Sequence, residues 1–88
     1  MPTVWIPSLM QKLSHGQAQV QVEGSTVREV IDALEAAYPG FRDRLCENGR
    51  IRPALAVAVD GEISNEGMRR KVSSGSEVHF LPAISGGA

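Results

Sequence analysis

An α+β roll, with one main helix laid across one face of a mixed sheet, follows from three features of this sequence. Short runs of alternating apolar residues recur near both ends, a single amphipathic helical pattern lies between them, and the chain is 88 residues long. A chain of that length buries one core and leaves no room for a second domain.

The first run is Thr3 to Ile6, in which Val4 and Ile6 point one way and Thr3 and Trp5 the other. Pro7 stops its ladder. A long, partly apolar loop follows, with turn formers at Ser14, His15 and Gly16, and Ala18 to Glu23 then alternates again with Val20 and Val22 on one face, completing a hairpin. Gly24-Ser25 breaks the strand, and Thr26 with Glu29 three residues later has the form of a capping box. A helix starts there. Val27, Val30, Ile31, Leu34 and Tyr38 form one stripe over about three and a half turns, while Arg28, Glu29, Asp32 and Glu35 lie elsewhere on the wheel. Pro39-Gly40 terminates it, because proline lacks an N–H and disfavours helical geometry in the residue before it. Phe41 and Leu45 then close one further helical turn, ended by Asn48-Gly49.

From Pro53 the segment PALAVAVDG reads as a strand with Leu55, Val57 and Val59 inward and Ala54, Ala56 and Ala58 outward, closed by an Asp60-Gly61 hairpin signal. Glu62 to Ser64 is a short return strand. Beyond the basic trio Arg69-Arg70-Lys71 and the turn Ser74-Gly75-Ser76, Val78 and Phe80 alternate with His79 and Leu81 in a last strand that Pro82 ends. This order of elements fits the β-grasp arrangement, which places the first and last strands side by side in the centre. Residues 1–83 are then the domain, and residues 84–88 a flexible C-terminal tail that leaves a rigid sheet.

Composition removes several classes of function. Nine Lys and Arg against ten Asp and Glu give a net charge of −1, without the basic surplus of proteins that grip nucleic acid. Cys46 is the one cysteine, so neither an internal disulfide nor a Cys/His zinc cluster is available. No apolar stretch approaches the roughly 18 residues of a membrane span, and the start MPTVWIPS lacks a signal-peptide pattern, so a soluble protein of the reducing cytoplasm is expected. His15 and His79 have no sequence-adjacent carboxylate or nucleophile and read as surface or edge side chains, and Cys46 as a half-buried structural thiol. The trio Arg69-Arg70-Lys71 reads as a solvated loop, or more sharply as a contact for an acidic partner. Gly24 stands alone, without a phosphate-binding glycine pattern. A domain this small also has little space for an enclosed cleft, so a binding or carrier role is favoured over an enzyme.

The unusual feature is Gly86-Gly87 near the end. At ordinary glycine usage such a pair falls at a chosen position in roughly one chain in 200, so it asks for a reason. Two residues without a Cβ make the slimmest possible peptide, able to enter a narrow slot in a partner and present a carboxylate there. That carboxylate is inert until an activating enzyme converts it to an acyl-adenylate with ATP. The chain would then be a substrate and not a catalyst, with no cofactor of its own.

Here the sequence resembles the β-grasp sulfur-carrier family, the small proteins of molybdopterin and thiamin synthesis and their ubiquitin-like relatives. The resemblance covers nearly the whole chain: the N-terminal strand ending in IP, the capped helix TVREVIDALEAAYPG, the VAVDG strand and turn, the segment GSEVHFLP, and the final SGG. LEAAYPGFRDRL and FLPAISGG look most like the sulfur carrier of the O-phosphoserine-dependent cysteine route. The resemblance implies a thiocarboxylate on Gly87, with Ile84, Ser85 and Gly86 threading into partners. It implies a ubiquitin-activating-type adenylating and sulfurtransferase enzyme, and a recipient synthase for cysteine, molybdopterin or thiazole. A ubiquitin-like modifier joined through Gly87 to target lysines uses the same activation, and a plain interaction module is the third reading. Two positions depart from the pattern. Ser76 stands where an acidic residue is frequent, a change expected to affect only a turn. Ala88 follows the glycine pair: either a processing metalloprotease removes it, or the Gly87 carboxyl stays locked in a peptide bond.

One surface is also marked out. If the inward residues face the helix, then Trp5, Ala56, Ala58, His79 and Leu81 share the open face of the sheet, where Trp beside Leu over a floor of alanines suits partner docking. The alternative is that Trp5 lies flat over the alanines and shields them.

Overall fold

The structure, a computed structural model, describes residues 1–82. The expected domain boundary at residue 83 and the tail of residues 84–88 lie outside the described residues. Seven strands are present among the described residues: β1 (Thr3–Trp5), β2 (Gln19–Gln21), β3 (Cys46–Glu47), β4 (Arg50–Ile51), β5 (Leu55–Val59), β6 (Glu62–Ile63) and β7 (Glu77–Pro82). Two helices, α1 (Val27–Ala37) and α2 (Phe41–Leu45), lie between β2 and β3. The main sheet has the order β2-β1-β7-β5-β6, with β1 and β7 parallel and its other neighbours antiparallel. First and last strands are therefore central neighbours, and the fold is the β-grasp roll.

α1 forms where the capping residues predict it. Thr26 Oγ1 accepts from the Glu29 amide at 3.2 Å, and the Glu29 carboxylate reaches back to the amide and hydroxyl of Ser25, both at 2.9 Å. Those bonds hold the Glu29 carboxyl below its ordinary range, the backbone bond first. Val27, Val30, Ile31 and Leu34 are fully buried, each an aliphatic side chain worth about 1.5–3 kcal/mol of burial. The stripe runs on to Tyr38, which packs half-buried against the core as the C-cap, although the last helical residue is Ala37. Pro39 keeps Tyr38 out of helical geometry, at φ −138° and ψ 87°. Glu35 then accepts from the amides of Gly40 and Arg42 and so caps α2, whose Phe41 and Leu45 are buried as their spacing predicts. Gly40 has φ 113°, and a Cβ there would approach Leu13 Cδ2 at 3.1 Å, so the turn between the helices needs glycine.

Four local expectations are corrected. The loop after Pro7 is not irregular: Ser8–Ser14 winds into a 3-10 turn whose Met10 and Leu13, three apart, pack against the core. Buried Ser14 closes that turn by donating its hydroxyl to the Gln17 carbonyl at 2.7 Å. Asn48-Gly49 does not end α2. It is the two-residue turn of a small hairpin, β3–β4, with φ of 55° and 76°, the left-handed geometry that such turns require. The strand expected from Pro53 begins at Leu55, and the return strand ends at Ile63.

Candidate functional site

The glycine pair, Gly86 and Gly87, with Ile84, Ser85 and Ala88, lies outside the described residues. What the structure describes is how the chain is delivered to that point. β7 runs between β1 and β5, and its last residue, Pro82, pairs with Leu55. Its beginning is locked by Asp60 in the β5–β6 turn. The Asp60 carboxylate accepts from Ser76 Oγ and from the Glu77 amide, both at 2.9 Å. These bonds, the one from the Glu77 amide foremost, hold the Asp60 carboxyl below the usual carboxylate range. Ser76 is 2% exposed and also accepts from the Ser73 amide at 3.0 Å, so this position, expected to matter only to a turn, anchors the entrance of the central strand.

Strand register places the expected docking residues together. Trp5 pairs with His79, His79 with Ala58, and Ala58 with Ile63, a row across four strands on the face away from α1. Ala56 and Leu81 pair in a second row on that face. The Trp5 ring does not lie over the alanines; it stacks on His79 with centroids 5.3 Å apart and planes 8° from parallel. Trp5 Nε1 donates to Glu77 Oε1 at 3.2 Å, fixing the indole along β7. Leu81 is 37% exposed, whereas Ala58 points to the same face but is buried. Ile63, 62% exposed, belongs to the row and was not assigned a face from sequence. The register arithmetic was available: a two-residue turn at Asp60-Gly61 sets Val59 opposite Glu62 and therefore Ala58 opposite Ile63.

Groups that could do catalysis are scattered. His15 sits in a left-handed turn against Tyr38, at a centroid distance of 5.6 Å, and His79 is taken up by the Trp5 stack. Among the described residues neither histidine pairs with a carboxylate, and no three His, Cys, Asp or Glu residues gather as metal ligands. Desolvation pushes the Cys46 thiol up, more than nearby Arg42 lowers it, so a reactive thiolate is disfavoured there.

A ubiquitin-like domain whose open sheet face carries Trp5, His79 and Leu81 with Glu77 as its one acidic group among them, beside a locked central last strand, is thus the class of protein that fold and surface define. The chain belongs to the ThiS family, whose model matches residues 5–87. It is 32% identical to the sulfur carrier protein CysO of Mycobacterium tuberculosis, over 97% of each chain. It is 33% identical to small archaeal modifier protein 3 of Haloferax volcanii, over 74% of this chain and 73% of that one. In three dimensions it is similar to a chain of the Amycolatopsis orientalis BexX/CysO complex, with a TM-score of 0.91, 30% identity, and coverage of 99% of this chain and all of the other.

Proposed function

We propose that this chain is a sulfur carrier whose reactive group is the carboxylate of Gly87, exposed by removal of Ala88. The observation that carries this reading is the 32% identity, over 97% of both chains, to a protein that is itself a sulfur carrier. The central position of β7 supports it mechanically. Gly87 lies five residues past Pro82, so an extended chain reaches at most about 16 to 18 Å from the sheet, enough to enter a partner's site while the domain stays outside. In the activating enzyme the carboxylate attacks the α-phosphorus of ATP and pyrophosphate leaves. Hydrosulfide then attacks the acyl carbonyl, AMP leaves with the C–O bond broken, and after loss of the proton a thiocarboxylate remains. Gly86, Ser85 and Ile84 thread the partner's channel, and Trp5, Ala56, Ala58, His79 and Leu81, extended by Ile63, form the docking face. The recipient is a synthase, for cysteine first and for molybdopterin or thiamin second, and a metalloprotease removes Ala88.

A second reading has its own support in the similarity to the Haloferax modifier: conjugation through Gly87 to target lysines. Intact-mass analysis separates the two. The chain ending at Gly87, incubated with an activating enzyme of this class, ATP and a sulfide source, is expected to exchange one oxygen for one sulfur. Heavier conjugates, without that exchange, would favour the modifier, and an unchanged mass would overturn both.

A further inference from the structure

Four arginines and three glutamates gather where β4 meets a second 3-10 turn, Gly67–Arg69, and their pairing leaves two cations over. Glu47 stands directly across the hairpin from Arg50, yet its carboxylate is engaged by Arg52 at 3.0 Å. Glu66, three residues before Arg69, is engaged by Arg70 at 3.5 Å, and Glu62 meets the same guanidinium at 3.6 Å. Among the described residues, Arg50 and Arg69 have no carboxylate within ion-pair distance. Both are exposed, and both line one open cleft of about 360 Å³ with Asn65, Glu66, Gly49 and Gly67. Ile51 and Met68 complete the lining, and the two glycines, at φ of 76° and 59°, add no side chain to it.

The basic trio is therefore split by the fold. Arg69 faces this cleft, Arg70 is spent on Glu62 and Glu66, and Lys71 lines a different cavity beside Asp60. We propose that the Arg50–Arg69 cleft binds an acidic segment of a partner protein. Two guanidinium forks from elements distant in sequence suit two carboxylates spaced along an extended chain. Glu66 on the wall disfavours a compact dianion such as phosphate, which would sit against it, whereas a peptide places its carboxylates on either side. None of Trp5, Ala56, Ala58, His79 or Leu81 lines the cleft, so this contact is separate from the open sheet face and requires no sulfur chemistry.

The test is an NMR titration of the isotope-labelled chain with hexaglutamate at low salt, with hexaglutamine as control. Shifts are expected at Gly49, Arg50, Asn65, Gly67 and Arg69. The double variant Arg50→Gln/Arg69→Gln is expected to lose about tenfold in affinity, with its spectrum elsewhere unchanged because both side chains are exposed. Added salt should weaken the wild-type contact. The proposal is overturned by shifts centred instead on Arg28, Arg42 or Arg44, by binding undiminished in the double variant, or by inorganic phosphate occupying the cleft while hexaglutamate does not.

Discussion

The two faces of one sheet are made by the same strands and follow different rules. Toward α1, Val4, Val20, Val59, Val78 and Phe80 are all 6% exposed or less, and filling space between sheet and helix accounts for each of them. On the other face the intervening row is Gln19, Trp5, His79, Ala58 and Ile63, with no Lys, Arg, Asp or Glu and with a steep change in side-chain size along it. Close packing within the domain does not select an exposed isoleucine at the sheet edge, or a tryptophan held flat on a histidine. The covered face answers to folding, while the open face, where Glu77 lies two residues before His79, is the one the docking proposal concerns.

The strongest way to break that contrast is to cut one aliphatic from each face. Leu34→Ala should cost about 2 to 5 kcal/mol in chemical denaturation, as a fully enclosed leucine does, whereas Leu81→Ser should cost less than about 1 kcal/mol. Equal losses would mean that the open face is part of the core. The contrast is sharpened by binding. Trp5→Ser with Leu81→Ser should weaken association with the activating enzyme by about thirtyfold or more while the domain stays folded. Unchanged affinity would refute docking on this face.

A smaller effect concerns the lock on β7. Because the Asp60 carboxyl is held low in the folded state, it adds stability above the ordinary carboxylate range and loses that contribution as pH falls through its folded value. Wild-type stability should therefore decline on acidification from about pH 5 toward pH 3, and Asp60→Asn should start lower at neutral pH and decline less. An unaltered acid slope in the variant would show that the bonds from Ser76 and Glu77 contribute nothing.

Local chemistry made most of the fold legible. The Thr26/Glu29 cap, the stop at Pro39, the Asp60-Gly61 turn and the alternation in β1, β5 and β7 each act within a few residues, and each appears where expected. The misses came from weak or distant signals. The 3-10 turn spans only seven residues after Pro7, too few to show a helical period, and the two-residue strands around Asn48-Gly49 are too short to alternate. Trp5 meets Glu77 from 72 positions away, so only the parallel pairing of β1 with β7 reveals that the indole is fixed along the last strand. The members of the open face were legible from alternation alone, while their mutual geometry depended on register. The glycine pair was named from residue chemistry and lies outside the described residues.

The most direct measurement is the rate at which the chain ending at Gly87 acquires sulfur when Gly86 and Gly87 are both replaced by valine. A narrow channel that admits only backbone predicts a fall of about a hundredfold or more, with the spectrum of the domain unchanged. Sulfur loading at the wild-type rate would contradict the account.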